Sequence, residues 1–93
     1  MYAAVILLKL ENANYDDMNK VALNAPDNYK GAKGFVNAIY YSDKEKGEYG
    51  AIAVYETKED LEAHMESLPA ASKENINKSG TFNIYYVNNA FSA

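Results

Sequence analysis

The sequence predicts a single α+β domain over residues 1–93, ferredoxin-like in its βαββαβ order, with a four-stranded antiparallel sheet and both helices on one face. Three observations carry that expectation. Four β-rich runs stand at 2–10, 35–41, 48–56 and 81–88. Between the first two, Tyr15, Met18, Ala22, Ala25 and Tyr29 step by three and four, the period of a helix face. Between the last two, Thr57 and Asp60 form an N-cap pair, and Leu61, His64, Met65 and Leu68 follow at i, i+3, i+4 and i+7.

Residues 2–10 are apolar on both parities up to Lys9, as expected of a strand covered on both faces. The first helix is expected from about 14 to 25, with Asp16 and Asp17 favouring its positive end. Pro26 lacks a backbone donor and disfavours helix at Ala25, so a kink or a second short turn is expected over 27–31, closed by Gly31 and Gly34. Runs 35–41 and 48–56 flank a polar loop ending at Gly47 and read as a hairpin. Pairing Tyr41 with Tyr49 would put Phe35, Asn37, Ile39 and Tyr41 on one face with Tyr49, Ala51, Ala53 and Tyr55. After the capped helix, Pro69 restarts the chain in a short helical segment to about Asn77, ending at Gly80. Tyr85 and Tyr86 fall on opposite faces of the last strand, and 89–93 form a tail.

Composition removes several classes of function. There is no cysteine, so disulfides, thiolate metal sites and cysteine nucleophiles are absent. Net charge is −4 and every basic residue is a lysine, a poor match to nucleic acid or an anionic membrane surface. One histidine and scattered carboxylates supply no metal-ligand cluster, so no metal is expected. No apolar run reaches membrane-spanning length and none has the pattern of a signal peptide, so the expected setting is cytoplasmic. Two helices cover one face of a four-stranded sheet, yet the strands are apolar on both. A homodimer packed sheet to sheet would hide the second face.

Two features carry candidate chemistry. His64 stands on the inward stripe of the second helix and titrates near neutral pH. Either it serves as an acid–base group, or its ring packs on the sheet and donates one hydrogen bond to a backbone carbonyl or a tyrosine hydroxyl. The second feature is the face of Asn37, Tyr41, Tyr49 and Tyr55 around Ala51 and Ala53. Small residues beneath polar-tipped rings leave room for a flat aromatic ligand oriented by Asn37. The alternative is that the alanines admit a helix or partner closely and the tyrosines fill an interface.

The segments Gly34-Phe35-Val36-Asn37-Ala38-Ile39-Tyr40-Tyr41-Ser42-Asp43, Gly50-Ala51-Ile52-Ala53-Val54-Tyr55-Glu56-Thr57, Asp60-Leu61-Glu62-Ala63-His64 and Tyr86-Val87-Asn88-Asn89-Ala90 resemble the antibiotic biosynthesis monooxygenase-like superfamily of dimeric α+β barrels, in particular its small bacterial monooxygenase-like proteins. The resemblance spans roughly 34–91. It implies a homodimer with a pocket in each subunit between sheet and helices. It also implies a cofactor-independent monooxygenase, or related small-molecule enzyme, acting on a flat aromatic or quinol-type substrate, with His64 or a tyrosine–asparagine arrangement taking a proton. No cofactor is expected. The chain has no tryptophan, no arginine and no asparagine within 2–10, which points away from the haem-degrading members. The alternative is a non-catalytic dimeric module that binds a small hydrophobic ligand or assembles.

Overall fold

The computed structural model describes residues 1–9, 15–68, 70, 73–74, 76 and 80–91. The chain runs β1 (Tyr2–Lys9), α1 (Tyr15–Tyr29), β2 (Phe35–Asp43), β3 (Glu48–Tyr55), α2 (Lys58–Glu66) and β4 (Gly80–Tyr86), the expected βαββαβ order. The strands make one antiparallel sheet in the order β2-β3-β1-β4. The expected helix start at Asn14 and the end of the first strand at Leu10 lie outside the described residues. So does much of the segment 69–77, in which Ala70, Lys73, Glu74 and Ile76 are helical. Gly80 opens β4 rather than closing that segment.

Helix α1 continues four residues past the expected stop at Ala25, with Pro26 inside it. Proline in a helix interior costs about 3 kcal/mol, and burying a large apolar side chain recovers roughly 1.5–3 kcal/mol. Ala25 and Tyr29, one turn apart, are both buried in the core, so packing on the sheet offsets the local penalty. The Lys30 amide closes the last turn onto the Pro26 carbonyl at 3.0 Å.

Helix α2 begins as expected: Thr57 is extended, and its hydroxyl accepts from the Asp60 amide at 3.1 Å. Leu61, at the foot of the stripe, is fully buried. The core joins Ala4 of β1, Ala53 and Tyr55 of β3, Ala25 and Tyr29 of α1, and Leu61 of α2. Alanines at the centre of β1 and β3 leave the depth that the rings above them occupy.

The hairpin register differs from the expected one by a single residue. Tyr41 pairs with Gly50 and Ser42 with Tyr49, so the loop is the four residues 44–47, with Gly47 left-handed at φ 67°. Because side chains alternate with period two, this slip sends Asn37, Ile39 and Tyr41 to the face away from the helices, and Ala38 and Tyr40 to the helix face. A bulge between Phe35 and Asn37, opposite Tyr55 and Val54, reverses the parity once more, so that Phe35 returns to the helix face beside Tyr55.

The face away from the helices carries Val5, Leu7, Ile39, Tyr41, Ile52, Val54 and Tyr85. Ile39 is 61% exposed and Tyr85 55% exposed. Tyr41 lies across Gly50 and donates its hydroxyl to the Ile6 carbonyl at 3.0 Å, spanning from the edge strand over β3 to β1. A Cβ at position 50 would strike both that ring and that carbonyl, which is why glycine stands there. Tyr86, by contrast, is on the helix side and meets Tyr2 edge to face at 5.5 Å.

Candidate functional site

His64 sits one turn beyond Leu61 on α2, which sets its ring over the end of β3. Its Nδ1 is hydrogen bonded to the hydroxyl of Tyr55. The ring also meets the Tyr29 ring edge to face, centroids 4.8 Å apart at 86°. Tyr29 in turn stacks on Phe35 at 4.7 Å and accepts a hydrogen bond from the Tyr40 hydroxyl at 3.3 Å. Tyr49 completes the cluster, its ring perpendicular to Tyr40 at 6.2 Å. Its hydroxyl is buried with no hydrogen-bond partner among the described residues.

Of the residues singled out from sequence, Tyr49, Tyr55 and His64 are thus brought to one side of the sheet, and Tyr55 and His64 touch. Asn37 and Tyr41 are not brought to them. The register carries Tyr41 to the opposite face, where its hydroxyl is engaged by β1. Asn37 is exposed at the bulged edge strand. The grouping of all four around Ala51 and Ala53 is therefore corrected, the cause being the one-residue slip in the hairpin. Sequence reasoning passed over Tyr29, Phe35 and Tyr40 as site residues. Tyr29 was visible on the helical stripe, whereas Tyr40 was hidden by the register.

Burial sets the protonation of these groups. The Tyr29 hydroxyl is pushed far above its usual range, first by burial and then by the hydrogen bond and proximity of Tyr40. Tyr55 is pushed up to about 12, by burial first and then by Tyr40. Tyr49 rises for the same reasons. Burial lowers His64 below its ordinary 6.5. At neutral pH the hydroxyls of Tyr29, Tyr49 and Tyr55 are therefore protonated and the imidazole is neutral. The Tyr55–His64 contact can then run in two senses. With Tyr55 O–H donating to Nδ1, the ring proton lies on Nε2. With Nδ1–H donating to the Tyr55 oxygen, Nε2 is a free base. In either sense the tyrosine fixes the plane of the imidazole.

Two clefts border the cluster. His64 lines one of about 400 Å³, together with Lys30, Lys33, Asp60, Ala63 and Ser67. The other, about 630 Å³, runs between the end of α1 and β2, with Ala25, Tyr29, Phe35, Ala38 and Tyr40 as apolar walls and Asn37 among its lining residues. The two share Lys30, Gly31 and Ala32. Among the described residues no group of three or more histidine, aspartate or glutamate side chains stands close enough to hold a metal ion. None of their helices is long and apolar enough to cross a membrane.

No family model matches the sequence, and no curated protein does. Solved structures do match in shape. SnoaB, a cofactor-independent oxygenase from Streptomyces nogalater, superposes with TM-score 0.71 at 13% identity over 99% of this chain and 97% of its own. A monooxygenase of Streptomyces coelicolor, ActVA-Orf6, solved with nanaomycin D, gives 0.70 at 10% identity over 99% and 91%. A haem-degrading protein from Mycobacterium tuberculosis gives 0.70 at 13% identity over 99% and 100%. Over nearly its whole length the chain thus shares the fold of these three solved structures, built here from four antiparallel strands in the order β2-β3-β1-β4 and two helices.

Proposed function

We propose that the protein is a cofactor-independent monooxygenase acting on a flat aromatic or quinol-type substrate, with His64 as general base. The observation that carries this is the Tyr55–His64 pair, in which a buried tyrosine orients an imidazole that borders an open cleft. A histidine kept neutral at pH 7 can accept a phenolic or enolic proton at Nε2, and the resulting imidazolium keeps Nδ1–H on the Tyr55 oxygen. The substrate anion so formed is electron-rich enough to reduce O₂ directly. At an activated methylene, one oxygen atom stays as a carbonyl and the other leaves as water with the two hydrogens, so no external reductant is needed. Tyr55 is the positioning residue. Tyr49 completes the wall behind the cluster, and Asn37 contributes a polar edge to the neighbouring groove.

The test is oxygen consumption by the purified protein with anthrone or a naphthoquinol. His64→Ala should lower the rate roughly 100-fold, the usual worth of a general base. A rate no greater than the uncatalysed background, or one indifferent to that substitution, removes the proposal. The second reading is a binding module without turnover. It draws on the groove walled by Tyr29, Phe35 and Ala38, which His64 does not line.

The homodimer belongs to the same proposal. The uncovered Val5, Leu7, Ile39, Ile52 and Val54 face supports a second copy packed there. Sedimentation should give twice the chain mass at micromolar concentration. A stable monomer would refute it.

A further inference from the structure

The turn joining α1 to β2 carries two lysines, Lys30 and Lys33, and both border the cleft on which His64 opens. Lys46, Lys58 and Lys73 are paired with Asp43, Glu62 and Glu66. Lys30 and Lys33 enter no ion pair among the described residues. The one carboxylate in the cleft, Asp60, is turned onto Gly34: a Cβ at that left-handed glycine, φ 73°, would strike its Oδ2. Lys30 follows the last turn of α1, where a cation meets the exposed carbonyl end of the helix. That accounts for Lys30 but not for Lys33, which lies beyond the turn at Gly31. In a chain of net charge −4, the cleft is thus locally cationic beside a neutral base.

We propose that the ligand of this cleft is a hydroxylated aromatic acid, its carboxylate held by Lys30 and Lys33 and its phenolic hydroxyl directed to His64. The inference rests on the aromatic-substrate reading above and narrows it to anionic members of that class. The lysines then act as specificity determinants: they set which aromatic enters and fix which end of it meets the histidine.

Isothermal titration with 6-hydroxy-2-naphthoate and with 2-naphthol tests this, since the two probes share ring and hydroxyl and differ in the carboxylate. At low ionic strength the naphthoate should bind roughly three- to tenfold tighter, the scale of two partly exposed ion contacts. The preference should shrink with added salt and vanish in the double variant Lys30→Ala, Lys33→Ala. Lys44→Ala, on the exposed hairpin loop, should leave it unchanged. Both cleft lysines have exposed or loop positions, so circular dichroism should show the double variant folded as the parent. Equal binding of the two probes, or a preference that survives in the double variant, overturns the anionic-ligand proposal while leaving the aromatic-substrate reading intact. Failure of both probes to bind overturns the two together.

Discussion

The two faces of the sheet solve opposite problems with the same strands. Toward the helices, Ala4, Ala51 and Ala53 sit low, and the rings of Tyr29, Tyr55, Tyr40 and His64 fill the space above them. That face is tied together by aromatic edge contacts and by the Tyr55–His64 and Tyr40–Tyr29 hydrogen bonds. Away from the helices, Val5, Leu7, Ile39, Ile52 and Val54 form an aliphatic centre flanked by Asn37, Thr81, Asn83 and Tyr85, with the Tyr41 hydroxyl donating to the Ile6 carbonyl. The difference teaches where chemistry can reside. Rings with polar tips hold fixed geometry around a titratable group, whereas branched aliphatics offer shape and area only.

The largest effect expected from breaking this contrast is at Tyr55, which is fully buried. Tyr55→Ala should destabilise the fold by about 3–5 kcal/mol, as large-to-small changes in packed aromatic cores do, read from urea unfolding. A loss below about 1 kcal/mol would mean that the aromatic layer is not the core. Gly50→Val should come next, at about 1–3 kcal/mol, because its side chain meets the Tyr41 ring and the Ile6 carbonyl from the open face. Tyr55→Phe should cost about 1 kcal/mol, the worth of one hydrogen bond. It should also move the acid limb of the rate profile, a readout that a purely structural tyrosine would leave alone. Ile39→Lys is the smallest in folding terms, within about 0.5 kcal/mol for a single subunit. If the open face binds a second copy, that same change should convert dimer to monomer in sedimentation.

Acid and alkali probe the helix side selectively. His64 has a folded pKa below its unfolded 6.5, so the unfolded chain binds the extra proton first. Its contribution is present above pH 6.5 and is lost as pH falls through the lower folded value. Catalysis should likewise hold down to 6.5 and fall only below it. Tyr55, raised from 10.0 to about 12, has the opposite sign. Its contribution is complete below pH 10 and disappears as pH rises through 12. Thermal melts across both limits, with phenolate absorbance followed on the alkaline side, check the two signs. Ionisation of Tyr55 near pH 10 in the folded protein would contradict its burial in the aromatic layer.

The element order was legible because its signals are local. The Thr57–Asp60 cap, the stripe from Leu61, and the β-rich runs all act within a few residues, and each element formed where those signals stand. Two features were not legible, for physical reasons. The extent of α1 past Pro26 depends on Tyr29 docking against a sheet distant in sequence. The hairpin register depends on a loop one residue different from the symmetric choice, and on a bulge that no residue type announces. The candidate site inherits both. His64 and Tyr55 were within reach because each lies on an element with a clear face. The assumed register kept Tyr40 apart from Tyr49 and Tyr55, and Asn37 and Tyr41 were credited with a cavity they do not share with those two.

The bulge at Val36 has a consequence for how such a protein changes over generations. Before it, the odd-numbered Phe35 belongs to the helix side; after it, the even-numbered Ala38 and Tyr40 do. One extra residue therefore acts as a parity switch within a single strand. Gaining or losing a codon there would exchange the residues that wall the groove for those that clothe the opposite surface, with strand order untouched. Ligand preference and self-association could then diverge between descendants in one step, through a length change too small to disturb the fold.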